Sequence, residues 1–124
     1  RGEDLAAHYA SADIFLFPSM TETFGNVVTE ALASGLVVLA YDYAAGREHV
    51  RDGVNGLVVP LGDAAAFEAA ARGLVGHRDR WPAMRIAARR SAEGLTWAAI
   101  VDRFEAELRA VIAAAGTQAR ACAE

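Results

Sequence analysis

Three short, unbroken apolar runs constrain this chain more than any other feature: Ile14, Phe15, Leu16 and Phe17; Leu36 to Ala40; and Leu57 to Val59. Each is too short for a helix with a buried face. None alternates with polar residues, and the first and third are closed by Pro18 and Pro60. Such runs are expected of strands covered on both faces, which is the environment of a parallel sheet.

Between and after the runs the pattern turns helical. Asp4 to Ala10, with Leu5 and Tyr9 four apart, predicts a short helix ending near Ser11. Asn26 to Ala33 predicts a second helix with Val27, Val28, Ala31 and Leu32 on one side, stopped by Gly35. A loop through Asp42 and Gly46 leads to a short helical turn near Arg47 to Val50, and Asp52, Gly53, Asn55 and Gly56 are tight-turn residues. Asp63 is suited to cap a helix carrying Phe67, Ala70, Ala71 and Leu74, and another helix is expected to follow Pro82. In the last helix Trp97, Ile100, Val101, Phe104, Leu108, Val111 and Ile112 recur every three or four residues after a capping Thr96, the spacing of a core-facing stripe. Strands and helices in this order predict an α/β fold, a Rossmann-like doubly wound parallel sheet with C-terminal helices.

With 124 residues there is room for one domain, and the absence of an initiating Met suggests a piece of a longer protein. The expected division is an ordered region over residues 1–112 and an Ala-rich, disordered tail over 113–124. No apolar run approaches the roughly 20 residues of a membrane span. All twelve basic residues are Arg, spread along a chain of net charge −4. Without a basic patch, nucleic acid is not an expected partner. Cys122 alone cannot form an internal disulfide or a metal site, and no metal or cofactor is expected.

In a doubly wound sheet, ligands bind where strand carboxyl ends meet helix N-termini, which selects Ser19 to Asn26 and Asp42 to Arg47. Glu22 precedes Phe24, Gly25 and Asn26, where a helix begins and unpaired N–H groups suit phosphate or sugar oxygens. Gly25 permits close approach, and Glu30 follows on the same helix. The two carboxylates fall roughly 10 Å apart at about 1.5 Å per helical residue, near the span from hexose to ribose in a sugar nucleotide. An ionised carboxylate accepts two hydroxyls at once, which suits vicinal diols. With nine Glu in the chain the spacing is a weak signal by itself. Among the other polar residues, His8 and His77 read as surface groups and His49 as a structural histidine, while Glu48 and Asp42 are secondary candidates near the cleft.

The run from Pro18 through Glu22, Phe24, Gly25, Asn26, Val27 and Glu30 to Gly35 resembles the donor motif of the retaining GT-B glycosyltransferases called family 4. Tyr9, Ala12 and Asp13 upstream are similar to the helix and strand leading into that motif. Glu48, Asp52, Gly53, Asn55, Gly56, Leu57 and Val58 are similar to its following loop and turn, and Trp97 to the aromatic opening its terminal helices. The likeness covers about residues 4–112. A proline common just after the glycine is missing at Leu36 and Val37, and Gly46 stands where family members vary.

The resemblance implies that residues 1–112 are part of the C-terminal donor-binding domain of a GT-B fold. Glu22 would be the catalytic residue, holding hydroxyls of the transferred sugar. Glu30 would bind the ribose, and the backbone around Phe24, Gly25, Asn26 and Val27 would meet the sugar and diphosphate. It implies transfer from a UDP- or GDP-sugar to a saccharide or lipid acceptor, with retention and usually without a metal. The implied setting is cytoplasmic or peripheral at the inner face of the membrane. The basic residues facing the diphosphate and the acceptor-binding domain would lie upstream in the same protein. The alternatives are a sugar-nucleotide epimerase of the same architecture and a non-catalytic nucleotide-sugar-binding module. The epimerase pattern of Gly-Gly followed by adjacent acidic residues does not occur at Thr23 to Asn26.

Overall fold

Val37–Tyr41 (β2) is the centre of the fold because it is paired on both sides and covered on both faces. Ile14–Phe17 (β1) runs parallel to it in the register Ile14 to Val37 through Phe17 to Ala40. Gly56–Val59 (β3) pairs parallel on its other side, Val38 to Gly56 through Tyr41 to Val59. The computed structural model describes residues 2–21 and 25–121, the side chains of 116–121 excepted. Helices connect and cover the strands: Glu3–Ser11 (α1), Asn26–Ala33 (α2), Ala44–His49 (α3), Ala64–Gly76 (α4), Trp81–Glu93 (α5) and Trp97–Ala121 (α6).

Alternation along β2 divides the core. Val38 and Ala40 join Val28, Ala31 and Leu32 of α2, Ala45 of α3 and Ala88 of α5. Val37, Leu39 and Tyr41 point the other way, toward Leu74 of α4, Met84 of α5 and Val59. Both faces of β2 are thus removed from water, which is why its sequence is continuously apolar. Each fully buried Val or Leu contributes on the order of 1.5–3 kcal/mol to that preference. The Rossmann-like α/β reading therefore holds.

The predicted boundaries were met where a local signal sets them. Gly35 N–H donates to Leu32 O and Leu36 N–H to Ala31 O, the paired bonds that close α2. Asp63 Oδ1 accepts from Ala66 N–H at 2.8 Å and Thr96 Oγ1 from Ala99 N–H at 3.2 Å, so both expected caps are in place. Arg85 reaches from α5 to the amino ends of two strands, donating to Gly35 O at 2.9 Å and to Asp13 Oδ1 at 2.5 Å.

Four expectations needed correction. The β1 strand is not buried on both faces: Leu16 is 51% exposed, because α4 lies over β2 and β3 and leaves the outer flank of β1 uncovered. Val27 does not share the buried stripe of α2, being 38% exposed while Val28, Ala31 and Leu32 are buried. The turn expected near Arg47 begins at Ala44. Gly46 is not a loop residue but a buried position within that helix, where α3 crosses so close to β2 that a Cβ would collide with Tyr41 O and lie 3.0 Å from Ala40 Cβ.

Gly94–Glu124 form a second compact unit. Its apolar stripe is present along α6 but exposed, with Trp97 at 81% and Phe104 at 62%. The helix continues through the Ala-rich segment to Ala121, in keeping with alanine's helix propensity.

Candidate functional site

All three strands are parallel, so their carboxyl ends share one edge of the sheet, and the segments leaving β1 and β2 there are the two that the sequence singles out. After β1 the chain turns through Pro18, with Ser19 Oγ donating to Thr21 O at 2.7 Å. Glu22, Thr23 and Phe24 lie outside the described residues. The chain is next described at Gly25, which has φ 64° and ψ 20°, a left-handed conformation natural to glycine. It occupies the N-cap of α2, a buried position with no side-chain cap. Val28 N–H is taken by Gly25 O at 2.9 Å. The start of α2 therefore presents backbone rather than a capping side chain, as an anion or polyol site requires.

Asn26 and Val27 in the first turn are exposed, and so is Glu30. Asn26 and Glu30 are four apart, hence on one face of α2, and the rise between them is about 6 Å. Sequence-predicted Gly25, Asn26, Val27 and Glu30 are thus brought together at the end of β1. Beyond Glu30 the same face borders a hollow of about 360 Å³ between α1 and α2, lined by Gly2, Leu5, Ala6, Tyr9, Ala33 and Ser34 as well as Glu30. Tyr9 reads from its spacing as an apolar partner of Leu5, yet it donates from its hydroxyl to Glu30 Oε2 at 3.4 Å. Burial, then the charge of Glu30 and this hydrogen bond, raise the Tyr9 pKa above the ordinary tyrosine value.

The second segment, after β2, is fixed by backbone contacts. Asp42 N–H donates to Val59 O at 2.7 Å, and Arg47 Nε donates to Asp42 Oδ1 at 2.9 Å with Nη2 on Asp42 O at 2.9 Å. The Asp42 hydrogen bond and its charge raise the Arg47 pKa, and the two side chains face each other. Ala44 has φ 43°, a left-handed conformation that a non-glycine residue adopts at some cost. His49 has its ring nitrogen 4.0 Å from Glu48, and its backbone carbonyl accepts from Asn55 Nδ2 at 3.0 Å. Asn55 is 1% exposed and also bonds Ser91 Oγ and Arg51 N–H. This clasp holds the end of α3 against α5.

Among the described residues no three His, Cys, Asp or Glu side chains cluster as a metal site, and no helix is long and apolar enough to cross a membrane. A hollow of about 490 Å³ lies elsewhere, at the flank of β1 against α4, and is lined by Ile14, Leu16, Ala71, Arg72 and Val75. Apart from Arg72 it offers no polar side chain for orienting a sugar nucleotide.

The sequence pattern of the family described as "Glycosyl transferases group 1" matches residues 1–77. The chain is 40% identical over 113 residues to a GDP-mannose-dependent alpha-mannosyltransferase of Mycolicibacterium smegmatis, covering 90% of this chain and 29% of that protein. Among solved structures it resembles a sucrose-phosphate synthase from Thermosynechococcus elongatus, with TM-score 0.74 and 30% identity over 90% of this chain and 28% of that one. It also resembles the pneumococcal O-GlcNAc transferase GtfA in complex with UDP and GlcNAc, with TM-score 0.69 and 26% identity over 87% and 23% of the two chains. The chain therefore spans less than a third of the length of these relatives.

Proposed function

Since the chain belongs to the group 1 glycosyl transferases, we propose that it is the donor-binding part of an enzyme that moves a sugar from a nucleotide sugar to an acceptor. The observation that carries this reading is the exposed α2 face at the carboxyl end of β1, where Gly25 turns left-handed and Asn26, Val27 and Glu30 follow without a capping side chain. Relatives named for GDP-mannose, and a solved neighbour holding UDP, support a GDP- or UDP-sugar as donor.

In this reading Glu30 accepts the two ribose hydroxyls, and the backbone from Phe24 to Val27 meets the sugar and diphosphate. Glu22 holds hydroxyls of the transferred sugar and so fixes its anomeric carbon at the reacting centre. The bond broken joins that carbon to the diphosphate oxygen, and the new bond forms on the same face of the sugar to an acceptor hydroxyl, whose proton passes to the departing diphosphate oxygen. The diphosphate leaves as an anion, neutralised by basic residues of the remainder of the protein. The acceptor, a saccharide or lipid, docks on a further domain of the same protein, in the cytoplasm or at the inner face of its membrane.

The test is to incubate the full-length protein with UDP-, GDP-, ADP- and dTDP-sugars and candidate acceptors, following nucleotide release and product anomer. Wild-type protein is expected to release nucleotide with one donor and retain configuration. Glu22→Gln is expected to keep its fold while losing transfer by about 100-fold or more, the loss of a group acting mainly in the transition state. Wild-type rates in that variant would remove Glu22 from catalysis. Donor binding without turnover in the wild type would leave a binding module, and a change in the donor's own sugar would indicate an epimerase.

A further inference from the structure

Glu30 is an exposed helix residue on a flexible side chain, yet one of its oxygens already has a partner from another element. That partner is Tyr9, on α1, whose ring is half-buried and tilts against Phe15 at a centroid distance of 5.9 Å. Phe15 in turn stacks on Phe17, 5.9 Å away with the planes 17° apart. Both phenylalanines belong to β1, the strand whose carboxyl end begins the donor loop. The hydroxyl that reaches Glu30 is therefore carried by a ring anchored to the sheet.

We propose that Tyr9 is a positioning residue for donor binding: its hydroxyl holds one oxygen of Glu30, leaving the other oriented to receive a ribose diol at the mouth of the hollow between α1 and α2. The inference rests on the role assigned to Glu30 above and adds the residue that sets its orientation. The chemistry is that of a carboxylate with spare lone pairs, which can accept a phenol and still take the hydroxyls of a nucleoside. At 3.4 Å the bond is long, and catalytic-site hydrogen bonds of this kind shorten when the ligand is bound. A tyrosine phenol is protonated and able to donate through the neutral range, and burial, then Glu30, raise the Tyr9 pKa further. Pre-setting the carboxylate lowers the ordering cost of binding, so the contribution should appear in affinity.

The experiment measures binding of GDP, UDP and ADP to the full-length protein by calorimetry, together with the 2′,3′-dideoxy form of whichever binds. Tyr9→Phe keeps the ring against Phe15 and removes only the hydroxyl. It is expected to weaken the ribonucleotide about fivefold, the effect of one lost hydrogen bond, and to leave the dideoxy nucleotide unchanged. Glu30→Ala should weaken the ribonucleotide more, and adding Tyr9→Phe to it should then change nothing. Wild-type affinity in Tyr9→Phe, an equal loss on the dideoxy nucleotide, or an equal loss in the Glu30→Ala background would overturn the role of Tyr9 alone. Undiminished binding by Glu30→Ala, or no binding of any of the three nucleotides by wild type, would overturn the Glu30 reading and this inference with it.

Discussion

Replacing Asn55 by Ala should destabilise the fold by about 3 kcal/mol, although it removes no apolar side chain. The amide is buried and makes three hydrogen bonds: Nδ2 to His49 O and to Ser91 Oγ, both at 3.0 Å, and Oδ1 from Arg51 N–H at 2.7 Å. In the alanine variant Ser91 keeps its own bond to Ala88 O at 2.7 Å, so it loses only part of its bonding. Arg51 N–H and His49 O lose the partner supplied by Asn55. Three lost bonds at about 1 kcal/mol each give the estimate. In urea, with a slope of about 1.5 kcal/mol per molar, the midpoint should fall by about 2 M. Ser91→Ala should cost about 1 kcal/mol, and the double variant should fall short of additivity by a similar amount, because the two single changes delete the same bond. A midpoint within the error of wild type, or strict additivity, would refute the argument that the clasp, rather than apolar burial around it, secures the end of α3.

Two glycine substitutions should act in opposite directions, read by the same unfolding measurement. Gly46→Ala drives a methyl into Tyr41 O and against Ala40, and should cost about 1–3 kcal/mol. Gly73→Ala, inside α4 with nothing within 4 Å of the new methyl, should gain about 0.5–1 kcal/mol. The raised Tyr9 pKa carries a pH signature. Above about pH 10 the unfolded chain ionises this tyrosine while the folded one does not, so the stability that Tyr9 contributes is complete below that pH. It is lost as pH rises through the folded value. Tyr9→Phe should flatten that part of the stability profile, and an unchanged slope would count against the Tyr9–Glu30 contact.

Sequence alone determined the element order, the strand cores, the Asp63 and Thr96 caps and the glycine stop after α2, because each depends on a local signal of periodicity, capping or turn chemistry. It also marked Gly25, Asn26, Val27 and Glu30 as neighbours, since a single turn and helix carry all four. Tertiary structure alone decided the rest. Leu16 reads as core but is uncovered, because covering it depends on where α4 lies across the sheet. Gly46 reads as loop but is required by a close crossing of α3 over β2. Asn55 reads as turn chemistry, and its clasp on Ser91 spans 36 positions that no periodicity connects. The same holds for Tyr9, whose ring can be read as apolar from its spacing but whose hydroxyl meets Glu30, 21 positions away, only after β1 and β2 pair and bring α1 beside α2. Hydrophobic pattern specifies which face of an element is buried; which polar atom on one element meets which on another is fixed by packing geometry between elements distant in the chain.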